Sequence, residues 1–229
     1  MRAFSPLSGT IAERIAQIRQ TVPNSVRLIA VTKQVSVEAM REAYAAGVRD
    51  FAENRVQEAE AKQAKLSDLT DVTWHLIGHL QSNKAQKALD CFQWIHSIDD
   101  LKLAQRLNRL AAQRSHKPQS LLQVKLLPDL NKYGWSATDL LQDLSALSQC
   151  ENLRIQGLMT ILPHGLSAAD ATMAFQKTAE LANTIQQQNR PHLQMQVLSM
   201  GMSNDYALAV QAGATMIRLG RILFGDRST

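Results

Sequence analysis

The sequence predicts an α/β fold, a single (β/α)8 TIM-type barrel preceded by one extra N-terminal helix. Short apolar, β-branched runs alternate with amphipathic stretches along the whole chain, the pattern of βαβ units and parallel pairing. The runs number eight, which favours a closed barrel over an open doubly wound sheet. The 229 residues contain no Pro/Gly/Ser-rich linker, low-complexity tract or close repeat. That suits one domain over 1–229, because α/β barrels commonly run about 200–250 residues.

The elements follow in order. Ile11, Ile15, Ile18 and Val22 recur at helical spacing over 10–22, and Pro23 and Asn24 stop that helix. RLIAVT at 27–32 is the first strand, and 36–46 a helix ended by Gly47. The second strand is expected at 48–52 and a helix at 55–66. TWHLI at 73–77 is the third strand, with a helix at 83–89 and a fourth strand at 94–98. Leu103, Leu107, Leu110 and Ala111 mark one face of a helix over 99–113. The fifth strand is read at 120–126, a helix at 139–148 and the sixth strand at 154–160. Phe175, Ala179, Ala182 and Ile185 line one face of a long helix over 168–187. A seventh strand at 194–199, a helix at 204–212 ending at Gly213 and an eighth strand at 215–219 close the series.

Composition narrows the function classes. Hydrophobic residues make up 45% and charged residues 20%, so the chain folds around a core rather than staying disordered. No apolar run reaches the roughly 18–20 residues of a membrane-spanning helix. Arg2, Glu13, Arg14 and Arg19 interrupt the N-terminus, which therefore does not read as a secretory signal. Two cysteines, Cys91 and Cys150, make neither a disulfide framework nor a zinc site, and a reducing cytoplasm is expected. The net charge of +5 is spread along the chain, with no basic block and only 5% aromatic residues, so neither a nucleic-acid nor a membrane partner is expected. There is no phosphate-binding P-loop, dinucleotide fingerprint or serine-hydrolase elbow. His75 and His79 are four apart but lie on a strand and past Gly78, so the helical logic of metal ligation does not apply and no metal is expected.

Barrels carry their chemistry at the C-terminal ends of the strands. Those ends carry Lys33, then Glu53 and Asn54, then Gly78 and His79, then His96 and Ser97. Lys125, then Met159 and Thr160, then Ser199 with the run to Asn204, and finally Arg218 with Gly220 and Arg221 complete the ring. Lys33 closes an apolar strand. Desolvation there disfavours the ammonium, and a neutral amine attacks aldehydes; the plain alternative is a lysine snorkelling outward. Ser199, Met200, Gly201, Met202, Ser203 and Asn204 read as a phosphate cup leading directly into a helix, or as an ordinary glycine turn with a serine cap. Arg218 sits between apolar neighbours and needs a buried partner or an acceptor at the mouth; strands one and seven offer no carboxylate for an ion pair. The 128–135 connection is read as a loop, with a flap over the site as the alternative.

Six ordered strings then carry a family likeness: AVTK at 30–33, FAENRVQE at 51–58, WHLIGHLQSNK at 74–84, GLMTI at 157–161, LSMGMSNDY at 198–206 and IRLGRILFG at 217–225. Together they resemble the pyridoxal phosphate homeostasis protein family (YggS/PROSC type) from about residue 28 to 225. The resemblance implies a barrel like the N-terminal domain of alanine racemase, the fold-type III arrangement. It implies pyridoxal 5′-phosphate (PLP) held as an internal aldimine on Lys33. It also implies that Asn54, His79 and Met159 line the cofactor. Ser199, Gly201, Met202, Ser203 and Gly220 would belong to its phosphate side, and Arg218 would face the pyridine nitrogen. Where several relatives have Ser-Lys-Ser-Gly-Phe, this chain has Asn131, Lys132, Tyr133, Gly134 and Trp135.

An arginine beside the ring nitrogen makes the ring a poor electron sink. Racemases of this fold type take their opposite base from a second domain, and this chain is expected to lack one. Of Tyr44, Tyr133 and Tyr206, only Tyr133 is placed to reach the mouth. The expectation is a PLP-binding protein of PLP homeostasis and amino-acid and keto-acid balance, monomeric, without substantial turnover, with no catalytic residue and with apo-enzymes as recipients of the cofactor. The alternatives are a racemase or decarboxylase whose dimer partner supplies the base, and a PLP-independent barrel enzyme using Lys33 on a phosphorylated metabolite. Nucleic-acid binding rests on the basic pI of 9.4 alone.

Overall fold

The structure is a computed structural model that describes residues 8–115, 117–127 and 133–225. The chain opens with α1 (Ile11–Thr21), then β1 (Arg27–Val31), α2 (Val37–Ala45), β2 (Asp50–Glu53), α3 (Val56–Lys65) and β3 (Thr73–Leu76). A 3-10 turn (Ser82–Lys84) leads into α4 (Ala85–Cys91), followed by β4 (Trp94–Ile98), α5 (Leu101–Ala111), β5 (Gln119–Val124) and α6 (Ala137–Leu147). Then come β6 (Arg154–Thr160), α7 (Ala168–Gln186), β7 (Leu193–Ser199), α8 (Tyr206–Gln211), β8 (Met216–Leu219) and the short α9 (Arg221–Phe224). The strands form a closed parallel barrel in sequence order, with β8 returning to β1 through pairs such as Leu28 with Ile217.

Local chemistry sets the helix starts. Thr10 and Glu13 form a reciprocal capping box on α1. Ser36, Asp100, Ser136 and Ser167 each accept an amide from the first turn of α2, α5, α6 and α7. One strand contact needs glycine: a Cβ at Gly157 would lie 1.8 Å from the Val197 carbonyl oxygen on the adjacent strand.

The strands alternate. Outward residues such as Leu28, Ala30, Phe51, Leu76, Ile95, Leu198 and Ile217 join the helices in one large apolar layer. Inward residues Ile29, Val31, Ala52 and Met216 form a separate small cluster with Ile77, Trp94 and Val197. Several other inward positions are polar and buried, among them His75, His96, Ser199 and Arg218.

Some expected boundaries move. The second strand starts at Asp50, where pairing with Thr73 begins, rather than at 48. The fifth strand stops at Val124, so Lys125 lies just past it, where its N–H donates to the Trp135 carbonyl at 2.8 Å. The expected helix at 83–89 is split into a 3-10 turn and α4. Most of the 128–135 connection, residues 128–132, lies outside the described residues.

Candidate functional site

The mouth is built from the strand ends outward. At the end of β1, Thr32 and Gln34 hold the backbone on both sides of Lys33. The Thr32 hydroxyl donates to Glu53 Oε1 at 2.6 Å, and its carbonyl accepts Lys62 Nζ at 2.6 Å. The Gln34 amide donates to Glu58 Oε1 at 2.7 Å, from a left-handed φ of 59°. Lys62 joins the two carboxylates, at 2.8 Å from Glu53 and 3.0 Å from Glu58. Burial pushes the Glu53 carboxyl above its usual range, against the pull of Lys62 and Thr32. The ion cluster thus fixes the segment that delivers Lys33.

A cavity of about 1130 Å³ opens above the strand ends. Of the residues singled out from the sequence, Lys33, Asn54, Met202, Ser203, Arg218 and Gly220 line it. Its charged lining is three cations, Lys33, Arg218 and Arg221, against one carboxylate, Asp205. A segment that the sequence analysis did not single out, from Leu162 through Ser167 to Ala171, forms another part of the wall. The size is slightly above the range common for small-molecule sites, roughly 300–1,000 Å³.

The expected cup takes a different form. The helix does not follow directly on Ser203: α8 starts at Tyr206, because Asp205 turns back and its Oδ1 accepts the Met202 amide at 2.6 Å. That amide is therefore satisfied within the chain. Burial raises the Asp205 carboxyl above its usual range. The neighbouring contacts tie two loops together, with Arg221 donating to Asn204 Oδ1 at 3.1 Å and the Ile222 amide to Ser203 Oγ at 3.3 Å. Gly201 stands behind the lining at φ 93°, where a Cβ would meet Ala209 Cβ at 2.7 Å, and its carbonyl accepts the Arg218 amide at 3.0 Å.

Three other expected residues lie off the cavity. Met159 is fully buried in β6. Ser199 is fully buried and accepts Arg218 Nη1 at 2.7 Å. His79 lines an adjoining pocket of about 360 Å³ that shares Asn54 and Gly78 with the large cavity. Its Nδ1 is 2.6 Å from Asp99, and its ring stacks on Tyr133 at 3.7 Å. Burial also raises the Asp99 carboxyl. Among the described residues no cluster of three or more potential metal ligands exists.

Arg218 is 2% exposed and is held by neutral acceptors, Ser199 Oγ and, through Nη2, the Thr160 carbonyl at 2.7 Å. Burial draws its guanidinium down to about 10, which still leaves it charged at neutral pH. Three buried side-chain oxygens near the mouth, Glu53 Oε2, Asn54 Oδ1 and Asp99 Oδ1, have no hydrogen-bond partner among the described residues.

None of the three tyrosines lines the cavity. The Tyr44 hydroxyl donates to Asp71 at 2.7 Å, Tyr206 packs against the core, and Tyr133 stacks on His79.

The family described as alanine racemase, N-terminal domain, matches residues 8–228. The pyridoxal phosphate homeostasis protein of Synechocystis sp. is 52% identical over 212 residues, covering 93% of this chain and 96% of that protein. Solved structures of PipY from Synechococcus elongatus PCC7942, without and with PLP bound, are 55% and 54% identical. They superpose with TM-scores of 0.91 and 0.90, each covering 94% of this chain and all of that one. An alanine racemase from Clostridium difficile 630 shares the fold, with a TM-score of 0.73 at 14% identity over 96% of this chain and 57% of its own. No helix among the described residues is long and apolar enough to cross a membrane.

Proposed function

The chain belongs to the pyridoxal phosphate homeostasis protein family, and from that premise we propose that it binds PLP at the barrel mouth and serves PLP homeostasis and amino-acid and keto-acid balance. The observation that carries this reading is the convergence of one amine, Lys33, with Arg218, Arg221, Asn54 and Ser203 on a single cavity. The residues present suit the group. The cationic lining matches a phosphorylated ligand, and the orphaned Asn54 Oδ1 marks a polar position awaiting a partner or an amide flip.

When bound, PLP supplies an aldehyde that condenses with amines and a ring that withdraws electrons. Lys33 is the residue that would hold it covalently. Ser203, Gly220 and Arg221 would take the phosphate side, with Met202 contributing side-chain packing, since its amide is already satisfied. Asn54 would contact the cofactor from the β2 end. Arg218 would face the ring nitrogen, where a guanidinium donates a hydrogen bond and keeps its own proton. Arg218 would thereby leave that nitrogen unprotonated and blunt the electron withdrawal the group supplies. Ser199 and Gly201 would serve Arg218 from behind, while His79 would border the site from the adjoining pocket and Met159 would pack behind the lining.

With no tyrosine lining the cavity, the proposed role is binding without substantial turnover. The proposal takes the protein as a monomer of one domain over 1–229, working in the cytoplasm and passing PLP to apo-enzymes.

The test is a visible absorption spectrum of the purified protein, followed by borohydride reduction and peptide mapping. A yellow band fixed by borohydride on Lys33 is expected. A protein that stays colourless and unmodified after PLP is added overturns the cofactor reading. Amino-acid turnover on the order of 1 per second or faster overturns the non-catalytic one.

A further inference from the structure

Beneath the cavity, the barrel interior holds a chain of hydrogen bonds that the cofactor contacts do not require. It starts at Asp50, the first residue of β2 and so at the barrel face opposite the mouth. Asp50 Oδ1 lies 3.6 Å from Arg27 Nη1 and 2.9 Å from His75 Nε2. His75 Nδ1 is 2.9 Å from His96 Nε2, and His96 Nδ1 is 2.9 Å from Ser199 Oγ. Ser199 Oγ in turn accepts Arg218 Nη1 at 2.7 Å. Both histidines and Ser199 are fully buried.

The protons in this chain have one consistent arrangement. A guanidinium only donates, and a carboxylate only accepts. Between these ends stand one hydroxyl and two imidazoles. Desolvation holds both rings below their usual range, His96 well below it with His75, Arg218 and Arg27 adding to the effect, so each is neutral and carries one proton. Ser199 Oγ accepts from Arg218; because the Asp50 carboxylate takes the His75 Nε2–H and each ring carries one proton, His96 Nδ1 is left to accept the Ser199 O–H. His96 then donates from Nε2 to His75 Nδ1, and His75 donates from Nε2 to Asp50. Reversing any single bond sets two protons or two lone pairs against each other inside the barrel.

We propose that Asp50, His75, His96 and Ser199 are positioning residues, a one-directional hydrogen-bond chain that sets how Arg218 is presented at the mouth. The need is specific. Among the described residues no carboxylate lies within ion-pair distance of Arg218. Its orientation therefore depends on neutral acceptors, and one of them is a hydroxyl free to rotate. The chain removes that freedom, and it anchors the choice at Asp50, on the far side of the barrel. The inference rests on the PLP reading only for the identity of what Arg218 meets.

The test combines nitrogen-15 NMR of histidine-labelled protein with PLP titration, on the full chain and on Ser199→Ala and Asp50→Asn, two near-isosteric changes. The full chain should show both rings as the neutral Nε2–H tautomer at pH 7. Asp50→Asn should mix the tautomers of both rings and weaken PLP binding about threefold, with a shifted absorption maximum. Ser199→Ala should release His96 Nδ1 and weaken PLP binding on the order of tenfold. An Nδ1–H tautomer or an imidazolium in the full chain overturns the proposal. So does an Asp50→Asn protein that is merely less stable, with tautomers, affinity and spectrum unmoved. A full chain that takes up no PLP defeats the cofactor reading instead, and the tautomers still decide the chain.

Discussion

Neighbouring residues of one strand face two different environments in this molecule. In β8, Ile217 and Leu219 point into the layer between strands and helices, while Met216 and Arg218 point into the barrel. The outer layer is continuous and apolar, running from Ile15 and Leu28 to Leu107, Leu158 and Phe175. Its attraction is non-directional, proportional to the area removed from water and indifferent to which apolar neighbour supplies the contact. The interior has a smaller apolar cluster beside buried polar groups, and His75, His96 and Ser199 are hydrogen-bonded one to the next. There each group depends on a particular partner, because an unpaired buried polar atom is costly. The outer layer thus carries the stability, and the interior carries the geometry of the mouth.

The largest effect should separate these roles outright. Lys33→Ala should abolish borohydride-stable attachment of PLP while leaving the denaturation curve in place. Loss of folding in that variant would show that the mouth also holds the barrel together. Next, Leu107→Ala in the outer layer should cost about 2–5 kcal/mol in chemical denaturation, with the PLP affinity of the folded fraction unchanged. A parallel loss of affinity would mean that outer packing reaches the site.

The pH dependence sharpens the contrast further. His75 and His96 have folded pKa values below the unfolded value, so the unfolded chain binds more protons as pH falls past it. Their contribution is complete above the unfolded value near 6.5 and is lost as pH drops toward the folded values. Stability should therefore decline below about pH 6.5, by up to about 1.4 kcal/mol per pH unit for each histidine. Glu53, Asp99 and Asp205, whose carboxyls are raised, act with the opposite sign and only above the usual carboxylate range near 4. His96→Gln should flatten the decline between pH 5 and 6.5, read from denaturation midpoints across pH. The smallest change is Asp100→Ala, which removes the amide acceptor at the start of α5 and should cost about 1 kcal/mol with no effect on the site.

Much of the fold was legible because its signals are local. The short β-branched runs, the helical spacing of Leu103 and Leu107, and the serine and aspartate caps all operate within a few residues. Lys33, Asn54 and Arg218 were legible as residues lining the candidate cavity for the same reason: each is a polar group at or near the end of an apolar strand. The misplacements are also instructive. Asp205 turning back onto Met202 delays α8, and it competes for an amide that the sequence had left to a phosphate. His75 raised only a question of metal ligation from its spacing to His79, although a histidine alternating with apolar residues in a short strand points to the barrel interior. The wall from Leu162 to Ala171 has no chemical residue pattern to mark it.

The sequence by itself determined the two periodicities, hence the strand and helix order, the apolar outer layer and the identity of the groups at the strand ends. Only the tertiary structure decided which polar groups meet. His96 and Ser199 are 103 residues apart, Arg218 and Thr160 are 58 apart, and Thr32 and Glu53 are 21 apart, yet each pair is hydrogen-bonded. Hydrophobic burial is a property of each residue and its spacing, so it can be read along the chain. A hydrogen bond is a property of two atoms at one distance and angle, and closure of the barrel is what sets both.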